Sequence, residues 1–451
     1  MIQPVKPKSR ADKVSLWGYM KLFRRDILSA QPARLYRAWM AEFKTPFFRS
    51  YLMNQPELVK TVLKTRADDF PKSDRVGEGL RPLLGESVFL TNGETWKRQR
   101  RLIDPAFEGG RLKDTFPAMH AAGLSLLDRL DAGDHEVEEV ASYAAADVIF
   151  RTLFSIPIEN DMAHAVFHEF KRYQRAQPIL NIAAFIPLPK WMPRFHKTDT
   201  KASAAKIRAL ITQMTQERAQ QLEQGQAPDD LASKIMTAVD PVTGDKLDWE
   251  EMVDQVAIFF LAGHETSASA LSWSLYLMAL FPEWQEKVAQ EATVLTESAD
   301  FSVMGKLRVS KDVFRETLRL YPPVPMMVRS CTQAEHFRDR DIQAGSQVVL
   351  SPWHLHRHER LWDNPDGFDP DRWKTENGRQ CQRDAYIPFS AGARVCPGAG
   401  FAMIEGPLLL SMIIKEFRVS FASDARPVPV AHLTVRSENG IHLRLERRVG
   451  S

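Results

Sequence analysis

The feature that most limits what this chain can become is a single helical pattern of about 34 residues, 248–281. Asp248 and Glu251 form a capping box at its start, and Pro282 stops it. At about 1.5 Å per residue such a helix runs about 50 Å, the width of a whole domain. Everything else must pack around it. Its apolar stretch, 256–281, is long enough to span a bilayer, but His264 and Glu265 interrupt it, so it reads as a buried helix. The N-terminus is basic and no apolar run follows. Residues 1–30 are therefore read as a segment without export signal or membrane anchor, and a cytoplasmic location is expected.

Shorter patterns fill in the rest. Residues 32–43 read as a short amphipathic helix, 47–53 as a strand and 56–64 as a helix opened by Pro56. A basic helix follows at 93–107, then helices at 111–130 and 138–155. Residues 310–320 form a helix stopped by Pro322 and Pro323, and 398–415 a last apolar helix. Segments 343–350 and 441–445 look like strands. Pro187, Pro189 and Pro193 forbid a helix over 183–193, leaving an apolar loop that either lids a pocket or packs on its own protein. The sum is a mainly α fold with a minor β-sheet region, one domain over 1–451, without repeats or linkers. Lys and Arg number 60 against 57 Asp and Glu, with the signs interspersed, so a nucleic-acid partner is excluded.

Three cysteines, Cys331, Cys381 and Cys396, make no disulfide framework and fit a reducing compartment. Cys396 stands apart through its neighbours. Residues 389–398 read Phe-Ser-Ala-Gly-Ala-Arg-Val-Cys-Pro-Gly, an irregular segment feeding a helix. A thiolate that binds haem iron needs a backbone able to approach the macrocycle, which Gly392 and Gly398 permit. It needs N–H donors to steady the sulfur, which the start of a helix offers. Phe389 can shield it from water, and Arg394 can pair with a haem propionate.

Other constellations are ambiguous alone. Phe259, Ala262, Gly263, Thr266 and Ala270 share one face of the long helix, small at its centre. A flat group can approach there. Thr266 is expected to bond the carbonyl one turn back, bending or widening the helix. Tight helix packing, with Glu265 in a surface pair, explains the stretch equally well. Glu316 and Arg319, at i and i+3, make an ordinary surface pair contributing about 0.2–0.5 kcal/mol. Trp96 and Arg100 share a face of the basic helix. His354, His356 and His358 alternate, and on a strand would face one side as zinc ligands do, although a non-metal role is favoured.

Taken in chain order, these pieces resemble the cytochrome P-450 family. Phe389, Gly392, Arg394, Cys396 and Gly398 match its haem-binding signature, with Ser390 where many members carry Gly. Ala262, Gly263, Glu265 and Thr266 resemble its oxygen-activation motif. Glu316 and Arg319, with Arg372 in the later Phe-Asp-Pro-Asp-Arg-Trp, resemble its Glu-x-x-Arg helix and partner. Trp96 and Arg100 match its Trp-x-x-x-Arg, and Arg329 is a looser third propionate position. The resemblance covers nearly the whole chain.

It implies a P-450 fold holding haem b between the long central helix and the C-terminal cysteine-loop helix. Cys396 would ligate the iron. Trp96, Arg100, Arg329 and Arg394 would hold propionates, and Ala262, Gly263, Phe389 and Gly398 would lie against the cofactor. Thr266 and Glu265 would serve oxygen activation and proton relay. Glu316, Arg319 and Arg372 would form a buried triad locking the cysteine loop. The implied activity is a monooxygenase inserting one atom of O2 into a small apolar organic substrate by hydroxylation, epoxidation or O-dealkylation. Its two electrons would come from NAD(P)H through a separate ferredoxin or flavodoxin with its reductase. Lys97, Arg98 and Arg101 are candidates for docking that acidic partner, and a monomer is expected. Leu80, Leu83, Val88, Phe89, Phe170, Ile179, Leu180, Phe259, Met326, Met327, Val328 and Val430 are candidate pocket walls. A peroxide-driven peroxygenase or isomerase, and a non-catalytic haem sensor, are the alternatives; the first tends to lose the acid-alcohol pair retained here.

Overall fold

The computed structural model describes residues 2–44, 49–108, 110–176 and 198–448. Its first half carries α1 (Leu16–Arg25), α2 (Pro56–Lys60), α3 (Asp74–Gly77), α4 (Arg81–Leu84), α5 (Gly93–Phe107), α6 (Arg111–Arg129), α7 (Val137–Phe154) and α8 (Asp161–Ala176). The second half carries α9 (Thr198–Glu223), α10 (Leu231–Thr237), α11 (Trp249–Leu280), α12 (Pro282–Ala292), α13 (Arg308–Leu320), α14 (Pro352–Leu355), α15 (Glu376–Asp384) and α16 (Ala399–Glu416). The molecule is predominantly helical, as the sequence patterns imply.

The long helix forms for the expected reason. Asp248 accepts a hydrogen bond from the Glu251 backbone N–H (2.8 Å), and the Glu251 carboxylate accepts from that of Asp248 (3.0 Å). The helix runs 32 residues and hands over at Phe281 to Pro282, which opens α12. Almost all of α11 is buried, with Trp273, Tyr276, Leu277 and Met278 fully inaccessible. It lies against α7 along much of its length and also contacts α9, α13 and α16. Among the described residues no helix is long and apolar enough to cross a membrane.

Among the described residues, four small sheets flank the helices. The largest joins β1 (Met40–Lys44), β2 (Arg49–Met53), β7 (Gln347–Leu350) and β4 (Met327–Ser330) in the order β1-β2-β7-β4, with only β2 and β7 parallel. A three-stranded sheet orders β3 (Gly133–Glu136), β11 (His442–Arg447) and β8 (Phe417–Phe421) as β3-β11-β8. Two hairpins complete the set, β5 (Glu335–Phe337) with β6 (Arg340–Ile342), and β9 (Pro429–Ala431) with β10 (Val435–Ser437).

Some local readings need correction. The stretch 32–43 is not a helix. It holds one 3-10 turn, Ala33–Tyr36, and then β1, whose pairing with β2 outweighs its helical periodicity. The helix opened by Pro56 ends as α after Lys60 and passes into a π turn, Thr61–Thr65. Strand β7 begins at Gln347, because Gln343–Ser346 is a turn closed by the Ser346 N–H on the Gln343 carbonyl. The proline-rich loop 183–193 lies outside the described residues.

Candidate active site

Cys396 is the one exposed cysteine; Cys331 and Cys381 are buried. Its surroundings nonetheless desolvate it and raise its thiol pKa, a rise that the Gly398 N–H and Arg100 oppose. An exposed thiol in a desolvating surround faces an interior space. The loop presenting it is closed by the Cys396 N–H donating to the Phe389 carbonyl at 2.9 Å. Phe389 in turn packs against Ala270 of α11 and Phe314 and Leu318 of α13. The glycines serve different ends. Gly392 has φ +69°, and a Cβ there would overlap the Leu63 carbonyl, so this glycine lets the loop press against the π turn. At Gly398 a Cβ would sit 3.8 Å from the sulfur. Ser390 also holds a left-handed φ of +63°, the physical reason glycine suits that position.

The middle of α11 is accessible as well. Ala262 is exposed and Thr266 half-buried, whereas Leu261, His264 and Glu265 beside them are buried. Thr266 Oγ1 donates to the Ala262 carbonyl at 2.6 Å, as expected. The expected widening is not found: residues 249–280 are continuous α-helix. Gly263 also needs a different explanation. A Cβ at 263 would collide with Ile149, so this glycine admits α7 to the helix rather than a cofactor. Glu265 is not in a surface pair. Its carboxyl is buried and meets β9–β10, within 3.7 Å of Arg436 Nη2. Burial raises its pKa and Arg436 opposes that rise.

Four cations gather at one edge of the space. Lys72, Arg100, Arg329 and Arg394 come from four separate segments. Around Trp96, Arg394 lies 4.8 Å from the ring, with Arg100 and Lys72 each at 5.8 Å. The sequence reading missed Lys72, since nothing local marks it; an antiparallel bridge to Arg329 brings it in. Burial and the charges of Arg394, Arg329 and Arg100 push Lys72 down to about 6. Burial and Arg394 lower Arg329 to about 10. Arg100 has a partner in Asp104 (2.7 Å) and also donates to the Val395 carbonyl. The Nε atoms of Arg329 and Arg394 are buried with no hydrogen-bond partner among the described residues.

The triad forms as expected. Arg319 chelates Glu316 at 2.8 and 2.9 Å and spends its remaining N–H groups on the carbonyls of His356, Pro365 and Gly367. Arg372 Nε reaches Glu316 Oε1 at 3.1 Å, and its other donors reach the Asp363, Asn364 and Gly367 carbonyls. Its grip on the cysteine loop is indirect. It fixes the carbonyl of His356, whose Nε2 accepts the Ile387 N–H at 2.9 Å, two residues before Phe389.

Other candidates fall away. His354, His356 and His358 lie on α14 and the turn after it, not on a strand, and make separate contacts. Burial holds them neutral, at about 3, 3 and 4. No cluster of three metal-ligating side chains occurs among the described residues. Arg98 and Arg101 are committed to Glu251 and Asp240, each at 2.7 Å, which weakens them as docking groups. Leu80, Leu83 and Phe170 belong to the packed core, not to a pocket wall, while Val88, Phe259 and Met326 remain partly accessible and Phe89 is exposed. Ile179 and Leu180 lie outside the described residues. One buried acid was unforeseen: Glu405 of α16 accepts from Ser267 Oγ at 2.6 Å, and burial pushes it up to about 8.

These residues fit a haem. A sulfur ligand on one side, an accessible small-residue helix on the other, and a cation cluster with orphaned donors at the edge match its iron, its flat faces and its two carboxylates. Comparison with known proteins agrees. A family model for cytochrome P450 matches residues 16–444. A cyclooctat-9-en-7-ol 5-monooxygenase of Streptomyces melanosporofaciens is 31% identical, covering 92% of this chain and 89% of the relative. Human cytochrome P450 4X1 is 30% identical over 94% of this chain and 86% of its own. The solved haem domain of cytochrome P450DA superposes with a TM-score of 0.82 at 25% identity, covering 100% of this chain and 99% of that one.

Proposed function

The chain belongs to the cytochrome P450 family and is a monooxygenase of that family, and from this premise we propose how its residues carry the reaction and what it acts on. Haem b, when bound, would supply the oxygen chemistry, with the Cys396 thiolate as its sulfur donor. The observation that carries the reading is the accessible Cys396 thiol beside a cation cluster in which Arg329 and Arg394 each keep an Nε without a partner among the described residues.

Cys396 is the iron ligand. The Gly398 N–H, at the start of α16, favours its thiolate. Lys72, Arg329 and Arg394, with Trp96 between them, hold the propionates; Arg100 supports them from its pair with Asp104. Ala262, exposed on α11 one turn before Thr266, would leave room beside the cofactor. Thr266 positions a proton at its hydroxyl, and Glu265, whose carboxyl pKa burial raises, replenishes it. The substrate is a small apolar organic molecule, met by Val88, Phe89, Phe259 and Met326. Electrons arrive from a separate ferredoxin or flavodoxin and its NAD(P)H-dependent reductase, in the cytoplasm.

Two measurements test this. The reduced protein with CO gives a thiolate-type difference band that Cys396→His abolishes; a band surviving that change assigns the ligand elsewhere. Oxygen uptake should couple to NAD(P)H with a surrogate ferredoxin and reductase. Product formation supported only by hydrogen peroxide, and not by NAD(P)H with those partners, would overturn the monooxygenase cycle.

A further inference from the structure

The two faces of α8 differ in character. The inner face is apolar, with Ala163, Val166, Phe170 and Tyr173 buried. Phe170 packs on Phe260 of α11 with ring centroids 4.3 Å apart, and Phe167 lies 5.6 Å from the His264 ring. Those two α11 residues bracket Ala262 in sequence, so α8 backs the part of the long helix that reaches the site. The outer face carries His164 and His168, both exposed. Residues four apart on a helix lie one above the other, and here the two rings meet, with centroids 4.5 Å apart and planes at 70°. They differ in this from His354, His356 and His358, which are buried and make separate contacts.

The separation of the rings has a chemical meaning. An imidazole nitrogen binds a zinc-sized ion at about 2.0–2.1 Å, which puts the ion about 3.2 Å from the ring centroid. Two rings sharing one ion at a right angle then stand about 4.5 Å apart, and at a tetrahedral angle about 5.2 Å apart. The observed 4.5 Å matches the first, and a small turn of two exposed rings reaches the second. A right angle between nitrogen donors is the tetragonal geometry of Cu²⁺ and Ni²⁺. The helix holds both donors in place beforehand, so closing the second bond costs little ordering. Local charge is balanced: Asp161 stands one turn before His164 and Arg172 one turn after His168, while Lys171 is engaged by Glu139 at 3.3 Å.

We propose that His164 and His168 form a surface site on α8 for a transition-metal ion that favours imidazole, namely Cu²⁺, Ni²⁺ or Zn²⁺, with water filling the remaining positions. Mg²⁺ and Ca²⁺, which take oxygen ligands, are not held. Two protein donors are fewer than the four of a structural zinc centre, so the ion exchanges with solution and is not a permanent part of the fold. The site is separate from the haem and from every step assigned above. Its consequence is mechanical. An ion bridging two rings one helical turn apart binds the helix and not the unfolded segment, so it stabilises α8 by mass action. That helix is the one on which Phe260 and His264 of α11 lean.

The test uses the holoenzyme without an affinity tag, titrated in a calorimeter with Cu²⁺ and with Zn²⁺. Wild type should bind one ion that His164→Ala and His168→Ala each bind more weakly, by about ten-fold or more, since even an outer-shell partner is worth that much. Both positions are exposed and alanine is the best helix former, so the variants keep the fold, and an unchanged haem spectrum checks this. The copper signal in electron paramagnetic resonance should carry the splitting of two nitrogens in wild type and of one in either variant. Zn²⁺ should raise the melting temperature of wild type and of neither variant, and Mg²⁺ should raise none. Wild-type affinity retained in both variants, an adventitious ion only, overturns the proposal. So does a copper signal that neither substitution changes, or a wild-type melting temperature that Zn²⁺ leaves unmoved.

Discussion

Two groups of arginines lie close in this fold and are treated in opposite ways. In the triad, Arg319 and Arg372 are nearly inaccessible, and their N–H groups are spent on Glu316 and a ring of carbonyls between residues 356 and 367. At the edge of the interior space, Arg329 is buried and Arg394 half-buried, yet each keeps an Nε without a partner among the described residues, and Lys72 beside them is driven toward neutrality. Lys72, Arg329 and Arg394 each donate to one backbone carbonyl, but a buried cation short of partners is costly, so a fold tolerates it where something outside the chain completes the set. Saturated charge marks construction, and unsaturated charge marks a binding place. The interior acids divide the same way. Glu316 is surrounded by cations, whereas Glu405 has one serine and keeps its proton instead.

The largest test of the contrast is Glu316→Ala. It leaves two buried guanidinium groups without their carboxylate and should destabilise the protein by about 3–5 kcal/mol. The purified variant should carry little haem, because the loss passes through His356 to the cysteine loop. Normal haem content would remove the triad's assigned role.

Glu405→Gln should act in the opposite sense. Glu405 keeps its proton in the fold to about pH 8, whereas an unfolded glutamate releases it near the ordinary value of 4.5. Between those values the native state binds more protons, so stability falls as pH rises, by about 1.4 kcal/mol per unit. The glutamine variant escapes that fall, and its melting temperature should gain on wild type from pH 5 to pH 8.5. Parallel melting curves across that range would refute the protonated state.

Lys72→Met addresses the open cluster. With propionates in place the Lys72 ammonium is favoured again, so near pH 7.5 haem loading of wild type should take up about one proton more than loading of the variant. Calorimetry in two buffers of different ionisation enthalpy measures this, and equal proton counts would remove Lys72 from the site. The smallest effect is expected at Ser390, in left-handed conformation with its hydroxyl buried and unpartnered. Ser390→Gly relieves that conformation and should stabilise by about 1 kcal/mol or less. A lower melting temperature would show that the hydroxyl has a use.

The sequence by itself determined the elements whose signals are local. The capping box at Asp248 and the proline at 282 bound the long helix to within a residue, because both act within one turn. The cysteine loop, the Glu316–Arg319 pair and the Trp96–Arg100 pair were legible as fixed spacings, and the structure brings Arg329 and Arg394 to the same cluster. Tertiary structure decided the rest. It turned 32–43 from helix to strand, because β2 supplied a partner that periodicity cannot see. It separated the histidines at 354, 356 and 358, and it gave Gly263 to Ile149 of α7. Lys72, Arg436 and Glu405 carry no local mark, since each gains its meaning from a residue more than a hundred positions away. Spacing along a chain fixes hydrogen bonds within a turn. Which charges end up buried together, and which are left without a partner, depends on segments that meet only when the whole chain has folded.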